Sequence, residues 1–132
     1  MKRHQTLQDL SREHHSALKL ALGARRAATS GDAGKIAAAI ASCADVFAAE
    51  LEPHFRIEES SLLPAMAQAG EEALVARTLR EHAELRTLLG RVLDADADAT
   101  TLLSFADLLS AHVRFEEREL FEVAQQHLAP QV

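Results

Sequence analysis

The sequence predicts an all-α protein folded as an antiparallel, up-down-up-down four-helix bundle. Helix-forming Ala, Leu, Glu and Arg dominate its 132 residues, whereas β-branched residues are sparse and never alternate over the length of a strand. Four amphipathic segments carry apolar residues at steps of three and four, and the connections between them are short. Helices joined by short connections pack as antiparallel neighbours, which predicts a bundle. The length predicts one domain over residues 1–132.

The first helix is expected over about residues 6–28. Thr6 and Asp9 resemble an N-terminal capping box in which Asp replaces the usual Glu. The segment Ser30-Gly31-Asp32 ends this helix, and its aspartate can cap the next one.

The second helix is expected over about residues 33–63. Its apolar stripe includes Ile36, Ile40 and Phe47. Pro53 lies inside this pattern and lacks the N–H that would bond to the carbonyl of Ala49. We therefore expect a kink at Pro53 and a helix that continues beyond it.

The third and fourth helices are expected over about residues 71–93 and 100–128. The acidic connection 94–98 has some likeness to a calcium-binding loop, but the glycine at its sixth position is missing. The twelfth position is Phe105, where a calcium loop needs a bidentate Glu. The connection is therefore predicted to be a solvated acidic turn.

The composition excludes several classes of protein. A net charge of −6 argues against a nucleic-acid surface, and a single cysteine excludes a disulfide framework or a four-cysteine metal site. No run of 18 apolar residues is present, so no membrane span is predicted. The N-terminal residues do not form the apolar core of a secretion signal. A cytoplasmic location is the expectation.

Histidines and glutamates occupy positions that the helical pattern assigns to the core. The apolar stripe of the second helix continues through His54 and Glu58, and that of the fourth through His112 and Glu116. Residues four apart lie about 40° apart around a helix, so each His–Glu pair points inward together. His82 falls on the core face of the third helix.

The first helix offers two adjacent histidines. His14 lies near the centre of the apolar stripe, whereas His15 lies about 100° away, toward its edge. The apolar pattern therefore favours His14, and the alternative of His15 stays open.

These inward polar residues predict a metal centre because an unpaired carboxylate in a core costs several kcal/mol. No Lys or Arg lies on the same stripes, and imidazoles with carboxylates are ligands for iron, manganese or zinc. Four imidazoles and two carboxylates are enough for two metal ions, with a bridging oxide or hydroxide supplying part of the remaining charge. The other acidic residues are assigned to solvated surfaces: Glu59, Glu81, Glu84, Glu117, Glu119 and Glu122.

The ordered motifs resemble the hemerythrin-like, HHE cation-binding domain over nearly the whole chain. They are Glu13-His14-His15, His54-x-x-x-Glu58-Glu59, Glu81-His82 and His112-x-x-x-Glu116-Glu117. The resemblance implies a non-haem di-iron centre with bridging glutamates. The implied ligands are His14 or His15, His54, Glu58, His82, His112 and Glu116. In the family, apolar residues follow the ligand of the first helix by three and by seven positions. Leu18 and Leu22 stand at those distances from His15, so this spacing would fit His15.

Two departures from the oxygen-carrying hemerythrins affect the expected function. Thr78 stands where the carriers have a second histidine on the third helix. The spacing from His112 to Glu116 is also shorter than the spacing from His to Asp on the last helix of the carriers. Oxygen storage is therefore disfavoured. We expect a protein that binds or senses dioxygen, nitric oxide or a related oxidant, with Thr78 able to hydrogen-bond a bound water or oxygen species.

The alternative is an oxidoreductase that acts on peroxide, or in iron handling or repair under oxidative or nitrosative stress. Turnover would need electrons from a separate redox partner protein. Whether the chain is an enzyme therefore stays open. A ferritin-like site is disfavoured because such sites use Glu-x-x-His, the reverse of the order found here.

Overall fold

The computed structural model describes residues 3–94 and 98–128, and this part of the chain forms four helices without a strand. Helix α1 spans Gln5–Ser30, α2 runs from Ala33 to Gln68, α3 spans Glu72–Val92, and α4 runs from Ala99 to His127. The predicted all-α four-helix bundle is confirmed. Helix α2 extends five residues beyond its expected end at residue 63, because Pro64 is accommodated within it.

Three of the four helix starts have a side-chain cap, and the cap of α1 differs from the prediction. Asp32 caps α2 by accepting a hydrogen bond from the backbone N–H of Lys35, as expected. The cap of α1 is His4, whose Nδ1 accepts from the backbone N–H of Thr6 at 3.2 Å. The capping box expected at Thr6 is therefore wrong, because Thr6 is already the second residue of the helix.

Helices α2 and α4 contain π-helical turns. Those of α2 span Phe47–Leu51 and Glu58–Leu62, and that of α4 spans Glu116–Leu120. In α2 each π turn ends two residues before a proline, and the wider turn accommodates a residue that lacks an N–H. Helix α2 thus continues through Pro53 as expected. In both helices a π turn begins at the glutamate of the repeated His-x-x-x-Glu motif.

The bundle has an apolar cluster on each side of a polar layer. Helix α1 packs on α2 and α4, and α3 packs on α4 and α2. One cluster includes Ala17, Leu51, Leu85 and Leu109. The other includes Leu7, Leu63, Leu120 and Ala124. None of the described helices combines the length and apolar character needed to cross a membrane. Of the solvated turn predicted over 94–98, residues 95–97 lie outside the described residues, and Asp98 caps α4.

Candidate metal centre

The polar layer consists of side chains that are each at most 4% exposed. On every helix these polar side chains lie between apolar core residues of the same inward-facing stripe. The stripe runs from one apolar cluster through the polar layer to the other. The buried polar residues of the described chain are His14, His54, Glu58, Thr78, His82, His112 and Glu116.

Six of these residues form two groups of four potential metal ligands. The first group takes its imidazoles from α1 and α2, and the second from α3 and α4. Within each group, one ligand atom per residue lies within 4.8 Å of the others. Both groups contain Glu58 and Glu116, so the two carboxylates are shared. The groups are His14, His54, Glu58 and Glu116, and Glu58, His82, His112 and Glu116.

Each shared carboxylate directs one oxygen to each group. In Glu58, Oε2 lies 3.4 Å from Nε2 of His54, and Oε1 lies 3.1 Å from Nε2 of His82. In Glu116, Oε1 lies 2.8 Å from Nε2 of His14, and Oε2 lies 3.2 Å from Nε2 of His112. This orientation is the one that a carboxylate bridging two cations requires.

Several inward atoms of this cluster lack a hydrogen-bond partner within the described chain. Buried polar atoms are nearly always partnered, because an unmade hydrogen bond costs about 1–3 kcal/mol. A metal ion would satisfy imidazole nitrogens and carboxylate oxygens together. The atoms are Nε2 of His54, His82 and His112, both carboxylate oxygens of Glu58, and Oε2 of Glu116.

The Nδ1 atom of each of the four histidines in the two groups is held by a second glutamate. Each Nδ1 lies 2.7 Å from a carboxylate oxygen, and the pairs are His14–Glu117, His54–Glu13, His82–Glu59 and His112–Glu81. A carboxylate accepts a hydrogen bond from Nδ1–H, which leaves Nε2 directed at the shared glutamates. Metal-binding histidines are commonly oriented in this way.

The four outer pairs form a closed ring around the bundle. The histidine of each helix is held by a glutamate from the helix before it in the chain, and that of α1 by a glutamate from α4. The assignment of Glu59, Glu81 and Glu117 to a solvated surface is therefore wrong, since all three are half-buried partners of histidines. Every ring glutamate adjoins an inward ligand in the sequence, and that adjacency was the missed signal. The remaining surface assignments, Glu84, Glu119 and Glu122, are exposed.

The carboxylates decide the protonation of this cluster in the metal-free protein. Burial lowers the pKa of His54, but the nearby carboxylates of Glu116 and Glu58 raise that pKa to about 11. Burial lowers the pKa of His112, but the carboxylates of Glu116, Glu81 and Glu58 together raise it to about 10. Burial and the charge of Glu116 raise the pKa of Glu58. Cations must displace protons from the imidazoles, so metal affinity should rise with pH.

The structure separates the two histidines of α1. His14 is buried within the first donor group, whereas His15 is exposed and lies outside both groups. Thr78 is buried, but its hydroxyl donates to the carbonyl of Leu74 at 2.8 Å. Thr78 belongs to neither donor group.

A small void adjoins the first donor group on the side of the apolar cluster around Ala17. Its volume is about 10 Å³, which is close to the minimum for a single water molecule. His14, His54 and Glu116 line it beside apolar side chains, and two glutamates of α1 and α2 complete it. The lining is Glu13, His14, Ala17, Glu50, Leu51, His54, Phe55, Leu109, His112, Val113 and Glu116.

Comparison with known proteins agrees with this geometry. The family model described as "Hemerythrin HHE cation binding domain" matches residues 6–124, which include every member of both donor groups. No curated protein and no solved structure matches the chain significantly. The matched domain and the buried His/Glu cluster together indicate a metal-binding site.

Proposed function

Because this chain belongs to the hemerythrin HHE cation-binding domain family, we propose that it holds two iron ions and binds dioxygen or a related small molecule there. The observation that carries the proposal is the pair of four-donor groups that share Glu58 and Glu116. Two shared carboxylates and four imidazoles are a mixed oxygen and nitrogen donor set that suits iron. Iron itself is proposed from membership of the family.

The residues divide between the ions in a regular way. His14 and His54 would hold one ion, and His82 and His112 the other, while the shared glutamates would bind both. The carboxylates contribute two negative charges, so an oxide or hydroxide bridge would offset part of the cationic charge. When bound, the two irons would supply Lewis-acid and redox chemistry for a small ligand.

The small void beside the centre leaves no room for a large organic substrate. It has a volume of about 10 Å³, and Ala17, Leu51 and Val113 give it an apolar wall. Dioxygen and nitric oxide are small and weakly polar, so this wall suits them. A larger organic substrate would have to displace core side chains, which costs about 1–3 kcal/mol or more.

The test begins with protein purified without oxygen. Metal content and optical absorption are measured before and after air is admitted. We expect two irons per chain and a reversible, oxygen-dependent band in the visible. His54→Ala and Glu58→Ala serve as controls that should lose metal.

Other outcomes would overturn the proposal in distinct ways. Irreversible oxidation without a reversible band would replace ligand binding with redox catalysis, and peroxide and nitric oxide would then be assayed with a separate electron-donor protein. Zinc alone, or no metal and no uptake of added ferrous iron, would refute the iron centre.

A further inference from the structure

Three of the four outer His–Glu pairs are each clamped by an arginine. Arg3 binds Glu117 at 2.8 Å, Arg86 binds Glu59 at 2.9 Å, and Arg77 binds Glu81 at 3.0 Å. Each carboxylate is thus held between a histidine and a guanidinium.

The same arginines also lie over phenylalanine rings that contact the clamped histidines. Arg86 covers Phe55, which stacks on His82 with ring centroids 3.9 Å apart. The other two sets are Arg3, Phe121 and His14, and Arg77, Phe115 and His112. Three histidines therefore have both polar and aromatic support.

The fourth pair, His54 with Glu13, lacks this clamp. Within residues 3–94 and 98–128, no cation other than the histidine lies within ion-pair distance of Glu13. The side chain of Glu13 is 45% exposed, compared with 33% for Glu117, 26% for Glu59 and 13% for Glu81. His54 also contacts a phenylalanine, Phe55, edge-on at 6.2 Å, so the missing arginine and the greater exposure of Glu13 are what set this pair apart.

The small void lies at this unclamped corner between α1 and α2. The exposed carboxylates Glu13 and Glu50 line it, together with His54 and Glu116 of the centre. His54 is only 3% exposed, and its Nε2 has no hydrogen-bond partner in the described chain. The void therefore joins two solvent-exposed acids to an unsatisfied, buried ligand atom.

We propose that this corner, formed by Glu13, Glu50 and His54, is where divalent cations reach and leave the buried centre. The inference rests on the proposed metal centre and adds a route to it. The carboxylates attract a hydrated cation, and His54 is the imidazole that can rotate most easily because only an exposed glutamate holds it. At each of the other three corners an arginine holds the glutamate in place.

The test installs the missing clamp. In Glu50→Arg, the new guanidinium lines the same void as Glu13 and can pair with it, while the charge at the opening is reversed. Cobalt(II) is the probe, because it does not oxidise readily in air and has visible absorption. Stopped-flow absorption gives its uptake rate, and excess chelator gives its release rate. Glu84→Arg, an exposed site on α3 with the same charge change, is the matched control.

A route through this corner predicts that Glu50→Arg slows uptake and release each by about tenfold or more. The dissociation constant should stay within about threefold, because a barrier changes both rates together. Glu84→Arg should bind cobalt at the wild-type rates. Glu50→Gln, which removes the charge without adding bulk, should show a smaller slowing in the same direction. This second variant also answers the question if the arginine variant fails to fold.

Unchanged rates in both Glu50 variants would overturn the proposal, and so would equal slowing in Glu84→Arg, which would indicate a general charge effect. Faster release with weakened affinity would also overturn it, because Glu50 would then stabilise the bound state. The proposed metal centre is tested separately by the wild type: two cobalt equivalents support it whatever the rates in the variants. No cobalt or iron binding by the wild type would refute the centre itself.

Discussion

Replacing Glu58 by glutamine should have opposite effects on the metal-free and metal-loaded proteins. Glutamine keeps the shape of the side chain, so Glu58→Gln leaves no cavity in a position that is fully buried. The variant changes only the charge and one oxygen of a carboxylate that both donor groups share. It therefore isolates the bridging role from packing.

In the metal-free protein the charge of Glu58 has opposing interactions. At an effective dielectric constant of about 20, attraction to a protonated His54 at 3.4 Å and to a protonated His82 at 3.1 Å is worth about 5 kcal/mol each. Repulsion from Glu116, whose ligand atom lies within 4.8 Å, offsets about 3–4 kcal/mol of this. Burying the charge costs several kcal/mol more. Because burial and the charge of Glu116 raise the pKa of Glu58, its charge is unfavourable on balance in the folded protein, and we expect the metal-free variant to be at least as stable as the wild type.

In the metal-loaded protein the same change removes one of four donors from each ion. A loss of about 100-fold in affinity per ion lowers the metal-dependent stabilisation by about 2.7 kcal/mol per site. For two sites the expected loss is about 5 kcal/mol. This is a large fraction of the stability of a typical domain.

The assay is urea unfolding followed by far-ultraviolet circular dichroism, with and without ferrous iron under anaerobic conditions. The matched control is Glu84→Gln, which removes one exposed carboxylate from α3 and should change neither state. If Glu58→Gln destabilised both states equally, leaving the metal-dependent increment intact, the bridging role would be refuted. Glu58 would then be a structural partner of the imidazoles.

Three further predictions concern protonation, the outer ring and the first helix. The pKa values of His82, about 8, and of His54, about 11, lie above the value near 6.5 that a histidine has in the unfolded chain. Protonation of these histidines therefore stabilises the metal-free fold fully below pH 6.5. This stabilisation is lost as the pH rises through 8 toward 11. The urea midpoint of the metal-free protein should therefore be lower at pH 9 than at pH 6, and a higher midpoint would contradict this. Glu81→Gln should weaken equilibrium cobalt binding about 10–100-fold while helical content is retained, and unchanged affinity would exclude a positioning role. His14→Ala should lower the metal content per chain, whereas His15→Ala should not, and the reverse result would assign the ligand to His15.

The sequence predicted the four helices and the inward residues of α2, α3 and α4. Helical periodicity is a local property, since a residue's angle around its own helix follows from counting along the chain. His54 and Glu58 were therefore assigned to the core without knowledge of any neighbouring helix. The cost of burying unpaired carboxylates then pointed to a metal.

The outer ring needed the tertiary structure. Glu59 and Glu81 lie beside the inward stripe, at angles where a side chain faces either solvent or an adjacent helix. Which of the two occurs depends on the rotation and distance of the neighbouring helix, and neither is encoded in one helix's periodicity. Local patterns therefore assigned these residues to solvent, although each hydrogen-bonds a histidine on the next helix.

The choice between His14 and His15 shows the same limit. Their angles on α1 are both known from the sequence, but α1 packs on α2 and α4, and that packing buries His14 and leaves His15 exposed. The absence of an arginine at Glu13 was likewise hidden, because two of the three clamps, Arg3–Glu117 and Arg86–Glu59, join residues that are distant in sequence. Periodicity by itself determined which residues turn inward, and only the packing of four helices decided which of them meet.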